Sequence, residues 1–266
     1  MHFLDPYQPR SSPVHRLDPR VKLVLAVAFI LTVALTPLGA WPIYILLFSI
    51  VLSAEILSEL GVGMVLRRSS LALPFVLAAL PVLATIQGLP LATLPIGPWA
   101  VTITREGVER FAGIAAKSWI SVQMAIVLAS STPFPDLLLA MRGIRIPRLL
   151  VAVIGLMWRY LFVMADEGLR LMRAREARSG KPDRPGAQVG GSIAWRARVT
   201  GGMAGNLFLR SFERADRIYA AMASRGYDGE VRTFPLPPIT ATQWSILALV
   251  LGVLALLVAG GYLFWG

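Results

Sequence analysis

Residues 23–54 read LVLAVAFILTVALTPLGAWPIYILLFSIVLSA, 32 positions without a charge. A transmembrane helix takes about 20 mostly apolar residues. The run is therefore too long for one span and too short for two unless each borrows from its flank. Thr36-Pro37-Leu38-Gly39-Ala40 divides it, since proline lacks the helical donor and glycine relaxes the backbone. The pattern predicts one helix over about 19–36 and a second over about 41–60, with Trp41 and Tyr44 at the outer interface, where amphipathic rings collect.

Working outward, residues 69–104, 118–135 and 233–266 are also uncharged. They predict a third span over about 68–88, kinked or partly broken at Pro74 and Pro81, a fourth over about 107–131 and a last over about 241–264. Pro90, Pro95, Gly97 and Pro98 make 89–106 a loop on this reading. Of the 266 residues, 56% are hydrophobic and 15% charged, against roughly 25% charged in soluble domains. The expected fold class is an all-α integral membrane protein of about five transmembrane helices, with cytoplasmic amphipathic helices between the fourth and fifth. It divides into an N-terminal arm (1–18), four spans (19–131), a polar region (132–234) and a final span (235–266). The first 22 residues carry Asp5, Arg10, Arg16, Asp18, Arg20 and Lys22 where a secretion signal needs an apolar centre, so no cleavable signal is expected.

Charge sets the orientation. The arm has Arg10, Arg16, Arg20 and Lys22, and the loop after the second span has Arg67 and Arg68. Residues 134–232 hold 17 of the 26 basic residues and 9 of the 15 acidic ones. Basic residues favour the cytoplasmic side, which places the N-terminus and this insert inside and the C-terminus outside. Topology thereby accounts for the excess of arginine, and no nucleic-acid partner is expected.

The insert holds two long helical patterns. The first begins after Pro147 and continues to about Arg178, with Asp166 and Glu167 within pairing distance of Arg170 and near Arg159 and Arg173. The second runs from about Gly191 to Arg225, where Phe208, Phe212, Ala215, Tyr219 and Met222 form an apolar stripe. That stripe packs against the first helix or against a partner. Pro135 to Gly143 predicts a shorter helix with Asp136 near its start. Both long helices end alike, in Ala177-Arg178-Ser179-Gly180 and Ala223-Ser224-Arg225-Gly226. Glycine capping and the helix dipole account for either end alone. Their repetition points to a paired docking device, in which each guanidinium fork meets a partner's carboxylate.

Catalytic ingredients are missing. The chain has no cysteine and two histidines, His2 and His15, and no Gly-x-x-x-x-Gly-Lys-Ser/Thr loop for nucleotide phosphates. No catalytic residue and no metal site is expected, and the nine methionines read as packing residues. A stand-alone secondary transporter would need ionisable residues within the membrane, and Glu55, Glu59 and Lys117 are the candidates. An enzyme acting on lipid-borne substrates lacks its metal or base.

The sequence resembles the transmembrane T component of energy-coupling factor (ECF) transporters, in its CbiQ, cobalt-system form. The resemblance spans nearly the whole chain. It rests on His15-Arg16-Leu17-Asp18-Pro19-Arg20-Val21-Lys22-Leu23, on Arg159-Tyr160-Leu161 followed by Asp166-Glu167, and on Ala221-Met222-Ala223-Ser224-Arg225-Gly226-Tyr227-Asp228-Gly229. Family members carry Ala-Arg-Gly-like triplets at two coupling helices. Here the triplets read Ala177-Arg178-Ser179 and Ser224-Arg225-Gly226, each departing at one small position and keeping its arginine. The resemblance implies a non-catalytic subunit of an ATP-driven importer, in which Arg178 and Arg225 dock two cytoplasmic ATPase subunits that themselves bind ATP and Mg. It also implies a small CbiM-like substrate-binding membrane protein, with or without an accessory membrane subunit, in a bacterial or archaeal inner membrane. Cobalt is the implied substrate, with nickel or a vitamin such as biotin as alternatives.

Overall fold

The structure is a computed structural model that describes residues 6–96, 99–178, 192–229 and 237–265. It divides into two compact units, Met1–Ile144 with Leu236–Gly266, and Arg145–Pro235.

In the first unit the motif around Asp18 explains itself locally. Ser12 caps a single turn, α1 (Pro13–Arg16), by accepting from the His15 amide. Asp18 then caps α2 (Pro19–Leu35): its Oδ1 accepts from the Arg20 amide at 2.8 Å, and Pro19 occupies a first-turn position where no donor is needed. Arg20 pairs with Asp18 at 3.2 Å and donates to the Pro237 carbonyl, tying the start of α2 to the chain entering the last helix. After Thr36, Pro37 and a left-handed Gly39 (φ +86°) turn the chain into α3 (Trp41–Leu57).

The third span begins earlier than expected and, of the two alternatives of a kink or a partial break, it is broken. It comprises α4 (Val62–Ser69), a 3₁₀ turn (Ser70–Ala72), α5 (Leu73–Ala78) and α6 (Val82–Thr85). Pro74 lies in the first turn of α5 and Pro81 caps α6. Each proline therefore starts a new helix, because its missing N–H is harmless only there.

The stretch expected as a loop is instead an antiparallel hairpin, β1 (Pro90–Ile96) with β2 (Trp99–Thr104). Pro90 stands at a strand start, and a two-stranded ribbon has an open edge on each strand, so proline does not forbid it. Thr104 ends the hairpin and caps α7 (Arg105–Ser131), accepting from the Gly107 amide at 3.1 Å. Then come α8 (Phe134–Gly143) and, in the second unit, α9 (Arg148–Arg178) and α10 (Ile193–Ala223). The chain closes in the first unit with α11 (Ala241–Trp265).

Lipid is as apolar as leucine, so membrane helices associate through close packing and polar contacts rather than through water's exclusion. The core of the first unit is Phe29, Val33, Tyr44, Leu47, Val51, Ile120 and Leu254. Gly261 of α11 lies so close to Pro37 and Ile43 that an added Cβ would stand 3.0 and 3.1 Å from them.

Two lysines join α2 and α7 at both ends. Lys22 Nζ of α2 donates to the Ser131 carbonyl at the end of α7 at 3.1 Å. Lys117 Nζ of α7 donates to the Ala34 and Thr36 carbonyls at the end of α2, at 3.1 and 2.6 Å. Each cation satisfies C-terminal carbonyls that no helix can satisfy for itself. Residues 22–36 thereby run antiparallel to 117–131, the second half of α7.

Among the described residues, Val62–Thr85, Arg105–Ser131, Arg148–Arg178 and Ala241–Trp265 are long and apolar enough to cross a membrane, and Trp41–Leu57 is a shorter apolar helix. α9 meets that criterion through its first half; apart from Arg148 and Arg159, its charges fall from Asp166 onward.

Candidate functional site

The second unit is built on one fork between its two helices. Glu167 of α9 accepts from Arg210 Nη1 at 3.2 Å on one oxygen and from Arg214 Nη2 at 2.7 Å on the other. The Arg210 hydrogen bond, aided by the Arg214 charge, holds the Glu167 carboxyl below its ordinary range. Glu167 was expected to pair along its own helix with Arg170, Arg173 or Arg159. The Arg170 charge does act on Glu167, but its hydrogen-bonded partners come from α10, four residues apart, so that both arginines share the face turned to α9.

The apolar stripe divides. Met222 lines a crevice of about 350 Å³ within this unit, together with Tyr160 and Met164 of α9 and Ala215 and Ile218 of α10. Phe208, Phe212 and Tyr219 are 62%, 58% and 64% exposed and face away from it. Phe208 and Phe212 meet edge to face, with centroids 5.2 Å apart.

The end of α10 is a complete cap. The Tyr227 amide donates to Met222 O at 3.1 Å and the Gly226 amide to Ala223 O at 3.0 Å. With Gly226 at φ +77°, this is the paired-bond Schellman arrangement. An added Cβ at Gly226 would meet nothing within 4 Å, so the glycine is required by its backbone angle and not by space. Ser224 is held by its hydroxyl to Ala221 O at 3.0 Å. Arg225 is thus the last residue before a sharp left-handed turn, exposed, and its guanidinium has no hydrogen-bond or ion-pair partner among the described residues.

Arg178 is likewise the last described residue of α9, exposed beside exposed Ala177, with no side-chain partner among the described residues. Ser179 lies outside the described residues. Both expected arginines therefore stand at helix ends, exposed and without partners among the described residues. Glu167, by contrast, is committed to holding α9 and α10 together.

Of the membrane carboxylates and cations singled out from sequence, Lys117 is engaged in capping α2. Glu59 has left the helix in a positive-φ turn (φ 55°). Glu55 is 1% exposed, and both its carboxyl oxygens lack a hydrogen-bond partner, as do Gln123 Nε2 and Thr132 Oγ1. Among the described residues no group of three or more His, Cys, Asp or Glu could hold a metal ion.

Several apolar spans together with a charged helix pair define a multi-pass membrane protein. The family described as cobalt transport protein, CbiQ, matches residues 10–235, and the chain belongs to that family. It is 28% identical over 186 residues to the cobalt transport protein CbiQ of Rhodobacter capsulatus, covering 70% of this chain and 72% of that one. It is 28% identical over 239 residues to the energy-coupling factor transporter transmembrane protein EcfT of Lactococcus lactis, covering 84% and 83%. It is also 25% identical over 259 residues to a putative fused cobalt transport protein CbiMQ of Methanocorpusculum labreanum, covering 92% of this chain and 40% of the fused one.

Proposed function

We propose that the chain is the membrane scaffold of an ECF-type cobalt importer. In this reading it passes the motion of two cytoplasmic ATPase subunits to a separate substrate-binding membrane protein. The observation that carries the reading is the pair of exposed, unpartnered arginines at the ends of α9 and α10, one of them presented by a glycine cap. Each guanidinium offers a planar fork that fits a carboxylate in two parallel hydrogen bonds. The Glu167 fork supports the same reading, because a helix pair that transmits a push has to move as one body. ATP and Mg belong to the ATPase subunits, and this chain performs no catalysis. A relative that fuses CbiM and CbiQ in one name supports a CbiM-like membrane partner. The distribution of Arg10, Arg16, Arg67 and Arg68 supports an inner-membrane protein with its N-terminus in the cytoplasm.

The test is co-purification with the ATPases from native membranes, followed by cobalt uptake in vesicles. Truncating one member of a buried, hydrogen-bonded charge pair costs about 2–5 kcal/mol. Arg178→Ala and Arg225→Ala should each weaken ATPase binding by roughly 30-fold or more while leaving the chain in the membrane. Unchanged assembly and uptake in both variants would refute the docking role. Nickel, or a vitamin, carried in place of cobalt would change the substrate and leave the coupling role standing.

A further inference from the structure

Asp18-Pro19-Arg20 does more than start α2. Asp18 Oδ1 accepts from the Arg20 amide at 2.8 Å and from Arg20 Nε at 3.2 Å, so the cap that begins the helix also aims the guanidinium. The pair is largely shielded from water, with 17% of the arginine side chain and 11% of the aspartate exposed. Two further contacts complete the arrangement. Arg20 Nη2 donates to the Pro237 carbonyl. The stem of the same side chain lies against Gly143, where an added Cβ would stand 2.6 Å from Cδ and 3.0 Å from Cγ. Only glycine admits so close an approach.

Gly143 and Pro237 stand at the two places where the chain passes between the units. It leaves the first unit after Ile144 and re-enters it at Leu236. Both crossings have little backbone freedom. Arg145, the first residue across, stands at φ +66°, a region that a residue with a Cβ rarely holds unless its surroundings fix it. Pro147 follows it, and Pro237-Pro238 lock φ on the return. Nε and Nη2 belong to one rigid fork, so a single guanidinium holds the helix start and the return crossing at once, while its stem holds the outgoing one.

A body tied at one point swivels in every direction; tied at two, it turns only about the line that joins them. We propose that Arg20 is a positioning residue that fixes both crossings to the start of α2, so that the join between the units is a hinge with one axis. A push on α9 and α10 then reaches the membrane helices as a turn and is not lost in the linkers. That consequence for transport rests on the coupling role proposed above; the hinge itself does not.

Pulsed EPR distances on the full chain in lipid vesicles test it. The sequence has no cysteine, so Gly63→Cys in the first unit and Gly205→Cys in the second each take one spin label. Both positions are exposed, and an added Cβ there meets nothing within 4 Å. With Arg20 in place the distribution should be a single narrow peak. Arg20→Gln should lose that peak and give a broad distribution, and so should Arg20→Lys, whose one nitrogen cannot serve both acceptors. Lys22→Met removes a contact inside the first unit and touches neither crossing, so it should keep the peak.

A broad distribution with Arg20 in place, a peak kept in Arg20→Gln, or a peak lost equally in Lys22→Met would overturn the hinge. Should Arg20→Gln not insert, Gly143→Ala, which sets a methyl against the arginine stem, decides in its place, and a peak kept there is the overturning result. In the assembled transporter Arg20→Gln should keep the ATPase subunits and lose cobalt uptake; uptake at the wild-type level would overturn the transmission of the push. The distance measurement uses this chain alone, so it decides the hinge even if the coupling role fails its own test.

Discussion

Arg225 illustrates how much of the site rests on a neighbour with no side chain. Gly226 sits at φ +77° in open space, and a Cβ in the left-handed region costs roughly 1–2 kcal/mol. Gly226→Ala should therefore fray the last turn of α10 by about that amount and weaken binding of the proposed ATPase partner, with Arg225 still present. Binding affinity and amide exchange over residues 220–227 would report it, and unchanged exchange would exclude the mechanism. The two capping lysines act at the same scale. Lys117→Met leaves the Ala34 and Thr36 carbonyls without that donor, and Lys22→Met does the same to Ser131. Each should lower stability by about 1–3 kcal/mol, and the double variant should be close to additive, since the two sites lie at opposite ends of one helix pair. Thermal unfolding in detergent is the measurement. The arginine signatures were legible in the sequence because each lies within four consecutive residues. The lysine caps were not, because their acceptors lie 109 residues away for Lys22 and up to 83 for Lys117.

At the scale of elements, the contact between α9 and α10 depends on Glu167 remaining ionised. Its carboxyl is held below the ordinary value of 4.5 by Arg210 and Arg214. The stabilisation is therefore fully present above that value and is lost as pH falls through the depressed one. Glu167→Gln should remove it at all pH values. Amide exchange across 205–218 should then be faster at neutral pH in the variant, and indifferent to acid. The N-terminal arm responds in a higher window. Neutral His15 donates from Nε2 to Gln8 O at 3.0 Å and accepts from the Ser12 hydroxyl at Nδ1 over 2.7 Å. Burial pushes its imidazole below the usual 6.5. Protonation removes the acceptor, so the order of the arm should be complete above about pH 6.5 and fall as the pH drops below it. His15→Gln should flatten that response in a proteolysis or exchange titration. The sequence showed that α10 is amphipathic, but the stripe of Phe208, Phe212 and Tyr219 is the more apolar of two adjacent lines. Only the position of Arg210 and Arg214 over Glu167 shows which line faces α9.

For the molecule as a whole, a net charge of +11 concentrated in the insert acts on encounter more than on final affinity. Raising salt should slow association with the proposed ATPase partners and leave dissociation nearly unchanged. Arg178→Ala and Arg225→Ala should do the reverse, and stopped-flow binding at two ionic strengths separates the cases. A salt effect confined to dissociation would mean that the insert charges lie inside the contact.

Local order along the chain determined the membrane class, the helical periods, the breakers at Pro37 and Gly39, and the two arginine signatures. Each depends on residues a few positions apart, and charge-free length is a property of the chain itself. Tertiary structure decided the rest. It began the third span at Val62 and not near residue 68, and it paired the proline-bearing β1 with β2 into a hairpin where a loop was expected. It gave Glu167 its partners on another helix and set Lys22 and Lys117 at opposite ends of one helix pair. A buried carbonyl or carboxylate takes whichever donor the packing brings within about 3 Å, and distance along the sequence carries no record of that choice.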